Sequence, residues 1–321
     1  MKRAAHARLC FGHFSRAAAP CALFLVACTT DVRLCDGRSA IATDAGVDAT
    51  GRADAPQGVD AGHVPTGFTV PHVIASLSSD STVDDDPSLT SDLTEIYFDS
   101  KRDGGKGKED IWSSERGDRG TDWATPVAVA ELNSADRETG IALSADGLKV
   151  WFSSDRTESM GGLDIFTAER KSRTDAWSAV TRVDELSTAD DDLVSAVNDT
   201  NTVCLLARRP KDASNYDIYV STRTGESDPW GAVSKLTELD TSSNESDAFL
   251  LGDGLELLYT RSKQLELARR PSPAAPFVRV GALDELNSSS DDRDPWATAD
   301  LGYVVFSSDR SGSYELYESS R

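Results

Sequence analysis

Phe152-Ser153-Ser154-Asp155-Arg156, followed by Asp164-Ile165-Phe166, returns at the end of the chain as Phe306-Ser307-Ser308-Asp309-Arg310 followed by Glu315-Leu316-Tyr317. Weaker copies fill the interval and precede it, so a block of about 50 residues occurs five times. Aligned on their apolar runs, the blocks read Glu95-Ile96-Tyr97-Phe98, Lys149-Val150-Trp151-Phe152, Thr202-Val203-Cys204-Leu205, Glu256-Leu257-Leu258-Tyr259 and Gly302-Tyr303-Val304-Val305-Phe306. β-Branched and aromatic residues dominate, and each run is too short for a helix, so each is read as a strand.

An aspartate stands six residues before the last apolar residue of every run: Asp92, Asp146, Asp199, Asp253 and Asp300. Asp146-Gly147 and Asp253-Gly254 are the dipeptide that best tolerates the positive φ of a tight hairpin, which places these aspartates in turns. A further strand ends in arginine in every block, at Arg116, Arg170, Arg223, Arg270 and Arg321. Another begins with a bulky aromatic, over Trp123 to Leu132, Trp177 to Leu186, Trp230 to Leu239 and Phe277 to Leu286. Adding a short strand ahead of each turn aspartate, such as Pro87-Ser88-Leu89-Thr90, gives four antiparallel strands per block, one blade of a β-propeller. A matching aromatic-led stretch, Phe68 to Leu77, precedes the first full block, and the last block reaches Arg321 without one. The chain therefore reads as all-β, a five-bladed propeller of four-stranded blades over 68–321. Its N-terminal strand closes the ring, which removes open sheet edges.

Ser144-Ala145-Asp146-Gly147, Phe152 to Arg156 and Leu163-Asp164-Ile165-Phe166 resemble the repeat of the TolB-like, WD-repeat-like propeller family, also found in the propeller halves of OmpA-type envelope proteins. The resemblance covers nearly all of the chain after residue 68. Block four departs from it, because Tyr259-Thr260-Arg261-Ser262-Lys263 lacks the Ser-Asp-Arg pattern and the loop that follows almost vanishes. Neither an OmpA-like peptidoglycan-binding domain after Arg321 nor TolB's N-terminal α/β domain is expected. The resemblance implies a fold and an envelope compartment more than a role.

The first 28 residues address the compartment independently. Lys2, Arg3, Arg8 and Arg16 form a basic region, Ala17 to Ala27 an apolar stretch too short to span a bilayer, and a small residue precedes Cys28. Leu25-Val26-Ala27-Cys28 is similar to a bacterial lipobox, so residues 1–27 are expected to be a lipoprotein signal peptide and Cys28 the lipidated residue. By resemblance to known lipoproteins, Thr29 favours outer-membrane sorting, facing the periplasm or the exterior. Residues 28–67 are rich in Ala, Asp, Gly and Thr, as in Asp44-Ala45-Gly46-Val47-Asp48-Ala49, and read as a disordered tether. Their spaced aspartates lack the turn glycine and terminal glutamate of an EF-hand loop, so no metal is assigned. Cys35 falls in the tether and Cys204 in a core strand, and two free thiols are expected.

The net charge of −21 argues against nucleic acid as a partner and is compatible with cationic ligands, protein surfaces or simple solubility. Two columns of charge recur in all five blocks: acids at Asp84, Glu138, Asp191, Glu245 and Asp292, and bases at Arg102, Arg156, Arg209, Lys263 and Arg310. In the usual propeller path both emerge on one face. They are expected to meet either as ion pairs locking the blades or as an acidic ring that binds a cation or a basic peptide.

Catalysis is not expected. After residue 68 the sequence holds a single histidine, His72, on an expected outer strand, so neither a Ser-His-Asp triad nor a histidine-ligated metal site is expected there. A carbohydrate-active hydrolase using axial carboxylates is the alternative. Ser144-Ala145-Asp146-Gly147 differs from a sialidase Asp box, which places one residue between Asp and Gly. The reading is thus a lipid-anchored envelope propeller without cofactor, binding an envelope protein or peptide, or a glycan.

Overall fold

The computed structural model describes residues 62–79 and 82–321, so the expected leader, the Cys28 lipid site and the tether up to residue 61 lie outside the described residues. The described residues hold twenty strands and no helix.

Strand β1 (His72–Val73) comes first in the chain and last in the ring. Blade 1 comprises β2 (Asp84–Leu89), β3 (Glu95–Ser100), β4 (Asp110–Glu115) and β5 (Val127–Ala128). Blade 2 comprises β6 (Glu138–Leu143), β7 (Lys149–Ser154), β8 (Asp164–Glu169) and β9 (Thr181–Arg182). Blade 3 is built from β10 (Asp191–Val197), β11 (Val203–Arg209), β12 (Asp217–Thr222) and β13 (Ser234–Lys235). Blade 4 has β14 (Glu245–Leu250), β15 (Glu256–Arg261), β16 (Gln264–Arg269) and β17 (Val278–Ala282). Blade 5 has β18 (Asp292–Ala297), β19 (Tyr303–Ser308) and β20 (Glu315–Ser320), and β1 is its fourth strand, with His72 opposite Glu318 and Val73 opposite Tyr317. The inner strands β2, β6, β10, β14 and β18 stand side by side, and β18 meets β2. The ring is closed.

Between each pair of neighbouring blades lies one apolar cluster. Leu89, Ile96 and Phe98 of blade 1 pack with Tyr303, Val305 and Leu316 of blade 5 across the closure, and four similar clusters join the other blades. A single blade would leave these faces in water; fully burying one Leu or Phe side chain favours the ring by about 1.5–3 kcal/mol.

The hairpin turns between first and second strands carry the turn aspartates, and Leu93, Gly147, Asn201, Gly254 and Leu301 adopt left-handed backbone there. The aromatic-led segments pair over less than their expected length. The outer strands β1, β5, β9 and β13 are two residues each, and only β17 reaches five. Isolated bonds extend the closing one, with Thr69 N donating to Ser320 O (2.8 Å) and Ile74 N to Leu316 O (2.8 Å). Residues 62–67, assigned to the tether from composition, contact blade 4: Arg269 Nη1 donates to His63 O (2.9 Å), and Val64 packs beside Leu283 and Val280. Glu285 Oε2 accepts the amides of Gly67 (2.7 Å) and Phe68 (2.8 Å).

Candidate functional site: the propeller axis and its two faces

The acidic column begins the inner strands, so it lies on the face that carries the connectors between blades. Glu138 is fully buried and accepts from Ser134 N (2.9 Å), Ser134 Oγ (2.6 Å), Ser154 Oγ (2.9 Å) and Arg156 Nη2 (2.9 Å). Arg156 Nη2 also donates to Leu132 O (2.7 Å), the end of the preceding blade's outer segment. Asp84 with Arg102 (2.6 Å) and Asp292 with Arg310 (2.5 Å) repeat the device, their arginines donating to Leu77 O (2.6 Å) and Leu286 O (2.7 Å). Each pair thereby fastens its own blade to the connector arriving from the blade before. The acids have no exposed surface and are fully engaged, so these three pairs leave no open acidic ring.

Blades 3 and 4 build the lock from other residues. The strand-partner position held by Ser100, Ser154 and Ser308 is Arg208 in blade 3 and Arg261 in blade 4. An arginine there reaches the acid directly: Arg208 Nε lies 2.5 Å from the fully buried Asp192 and Arg261 Nε 3.4 Å from Glu245. The pair inferred from spacing, Asp191 with Arg209, forms one step further out, partly exposed, with Arg209 Nε 3.1 Å from Asp191. Lys263 does not reach Glu245. It sits with Ser262 in a two-residue turn of left-handed backbone, 70 % exposed, with its Nζ 3.4 Å from Asp291.

Every inner strand has a bulge, three residues beyond the lock acid in blade 3, at Ser195, and beginning two beyond it in blades 1, 2, 4 and 5. The residue there is left-handed in four blades: Asp86 (φ 52°), Gly140 (φ 58°), Asp247 (φ 53°) and Asp294 (φ 52°). Aspartate and glycine tolerate this conformation better than most residues. In blade 3 the residue two beyond Asp192 is Val194, which stays paired with Leu206. These residues floor a cavity of about 160 Å³ on the axis. Its walls include Leu89, Leu143, Phe249 and Trp296, and its rim includes Ser91, Ala145, Asp199 and Ala299 from the hairpin turns. The mouth therefore opens on the hairpin face, opposite the locks.

Burial, and then the charges of Asp86 and Asp85, pushes the Asp99 carboxyl well above the ordinary carboxylate range. Burial also opposes ionisation of Asp86, but hydrogen bonds from Asp99, Gly140 N (2.8 Å) and Thr139 Oγ1 (2.8 Å) outweigh it and hold Asp86 low. The pair thus keeps one proton, on Asp99. Asp247 is pushed up to about 6 by burial and the charge of Asp86. Asp294 is raised further by burial, then by the charges of Asp247, Asp86 and Asp85, against the pull of Arg293. That arginine is committed to Asp85, stacks 3.8 Å over Tyr314 and lies 3.2 Å from Asp294.

Alignment on the lock column misses these carboxylates. The available signal was an acid two places past the lock in three blocks: Asp84-Asp85-Asp86, Glu245-Ser246-Asp247 and Asp292-Arg293-Asp294. Elsewhere Asp217, Asp240 and Glu245 stand close enough to share a cation, and the Lys235 ammonium already lies 2.8 Å from the first two. Cys204 is buried, its thiol pushed up to about 12 by burial. His72 is exposed on the outer edge of blade 5, 3.1 Å from Glu318.

No family model matches the sequence, and no curated protein matches it. Among solved structures, the chain is similar to Zg3597, a family 117 glycoside hydrolase of Zobellia galactanivorans, at 11 % identity and a TM-score of 0.53 over 79 % of this chain and 89 % of that one. A TolB-type protein of Agrobacterium tumefaciens matches at 14 % identity and TM-score 0.47, over 74 % of this chain and 76 % of that chain. A sialidase of Trypanosoma rangeli matches at 10 % identity and TM-score 0.44 over 74 % of this chain, which spans only 55 % of the sialidase. At these identities the likeness is one of fold alone, and the fold is the five-bladed propeller.

Proposed function

We propose that the chain is a non-catalytic binding module of the bacterial cell envelope, held to the outer membrane by lipid on Cys28. It takes its partner, an envelope protein or peptide or else a glycan, at the hairpin face. The carrying observation is the asymmetry between the two faces. At the connector face the recurring acids are consumed by locks, whereas at the hairpin face the inner strands surround an open cavity with a carboxylate floor. Concave sites with apolar walls and a few convergent polar groups are where proteins bind ligands.

A carbohydrate hydrolase is the less favoured reading. Three of the axial acids, Asp86, Asp247 and Asp294, recur at one strand position, as repeated structural devices do, although their carboxyls are held differently. The mature chain, immobilised, should capture its partner from solubilised envelopes, and Ser91→Arg with Ala299→Arg at the rim should reduce that capture about tenfold or more, about 1.4 kcal/mol. Undiminished capture by this double variant would remove the hairpin face from the account.

A further inference from the structure

The chain enters the propeller through β1, the strand that closes the ring, so a pull on the N-terminal chain would act on the closing seam first. That seam is thin. Strand β1 is two residues long and both are exposed. Phe68 is half-buried and 5.7 Å from Arg321, whereas the corresponding Trp123, Trp177, Trp230 and Phe277 are buried and lie 4.1 to 4.5 Å from their arginines. Because β1 and β20 are antiparallel, the first ladder bond met from the N-terminal side is Thr69 N to Ser320 O (2.8 Å), and Ile74 N to Leu316 O (2.8 Å) comes under tension only after it. Bonds met one after another open as a fraying terminus does, at little cost.

Before it reaches β1, however, the chain crosses blade 4. His63 O accepts from Arg269 Nη1 (2.9 Å), and that arginine is braced by Glu256, 2.5 Å from its Nε. Val64 is half-buried against Val280 and Leu283 and sits over Gly281, where an added Cβ would stand 3.1 Å from Val64 Cγ2. Pro65 follows it and keeps Val64 extended. Glu285 Oε2 then takes the amides of both Gly67 (2.7 Å) and Phe68 (2.8 Å). The ring repeats half of this clamp, where Glu238 Oε1 accepts Phe277 N (3.1 Å). Pro276 precedes Phe277 and has no amide hydrogen, so the two-amide grip belongs to the entry of the chain. These contacts are to blade 4, whereas the strand that follows belongs to blade 5. A pull must therefore free His63, lift Val64 from an apolar seat and break two bonds to one carboxylate before it touches the ladder of β1.

We propose that residues 62–67 are a force-bearing strap, which passes a pull on the N-terminal chain into blade 4 and keeps β1 in its seam while the protein, held at its membrane anchor, engages a partner fixed elsewhere in the envelope. The source of the pull rests on the anchored-module reading. The strap itself does not, and its test needs no lipid.

The full mature chain, unlipidated, is held in optical tweezers by its amino terminus and residue 199, and in a second geometry by residues 91 and 199, which bypasses the strap. Val64→Ser with Glu285→Ala should raise the opening rate in the first geometry about tenfold or more at a given force and leave the second unchanged within about twofold. Glu285→Gln in place of Glu285→Ala keeps an oxygen for the amides and should recover part of the loss. Should the double variant fail to fold, Val64→Ser alone, at a half-buried side chain, should show the same contrast at smaller size. Equal acceleration in both geometries would make residues 62–67 ordinary packing, and no acceleration in the first would remove the strap. Neither result bears on lipid at Cys28 or on the hairpin face, and a Cys28 that took no lipid would remove the source of the pull while leaving the strap in place.

Discussion

The guanidinium of Arg321, the last residue of the chain, lies 5.7 Å above the ring of Phe68, so the two ends of the propeller meet as a cation–π pair. The same contact recurs in every other blade, as Arg116 on Trp123, Arg170 on Trp177, Arg223 on Trp230 and Arg270 on Phe277, at 4.1 to 4.5 Å. Each of these four arginines also donates through Nε to a left-handed turn residue, at Leu93 O, Gly147 O, Asn201 O and Gly254 O. Phe68→Ala should therefore destabilise the whole ring by about 1–2 kcal/mol, read by thermal melting. Deleting 68–78 should abolish the single cooperative transition. A deletion variant that melted like the full chain would contradict closure by the N-terminal strand.

The lock pairs predict an asymmetry between copies. Glu138→Gln leaves Arg156, 11 % exposed, without its buried counter-charge and should cost about 3–5 kcal/mol. Lys263→Ala removes a side chain 70 % exposed and should cost less than about 0.5 kcal/mol. Urea denaturation of the two variants checks this, and equal losses would mean the locks are not the structural device described.

Asp247 provides a pH test. Its folded value near 6 lies above its ordinary 3.8, so the folded protein retains a proton that the unfolded chain releases. The stability linked to this group is complete below about pH 4 and is lost as the pH rises through about 6. Asp247→Asn should accordingly melt higher than the native protein at pH 8 and nearly level with it at pH 4. A difference independent of pH would show that the carboxyl is not the strained group.

The bulge at the cavity floor can be tested through Gly140. Its φ is +58°, and a Cβ there would stand 2.9 Å from Val194 O and 3.2 Å from Ser153 Oγ. Gly140→Ala should cost about 1–3 kcal/mol by differential scanning calorimetry. Gly225→Ala, where the nearest atom is Asp228 Oδ2 at 3.4 Å and φ is not left-handed, should cost less than about 0.5 kcal/mol. Comparable losses at both sites would remove the claim that backbone geometry holds the floor.

Much of the architecture was legible because a repeat exposes its own columns. The Arg116 and Trp123 columns, read separately along the chain, turned out to touch, and the leftover Phe68 segment found Arg321. The outer strands were overestimated because pattern marks which residues are buried, as with Trp123 and Leu132, but not which amides find partners. Lock residues shifted in blades 3 and 4 because Arg208 and Arg261 replace the serine that elsewhere lets a later arginine fold back. The cavity floor was hidden for a different reason. Asp86, Asp247 and Asp294 repeat in three blades only, and the bulge that turns them onto the axis is a backbone event with no residue type of its own.

The account stands most directly on which face meets the partner, and site-specific photo-crosslinking in living cells reads that out. A photoreactive residue placed at Ser91, Asp199 or Ala299, exposed at the cavity rim, should trap an envelope component, while the same residue at Ala135 or Ser289, exposed beside the connectors, should not. Adducts confined to Ala135 and Ser289 would contradict the hairpin face as the binding surface.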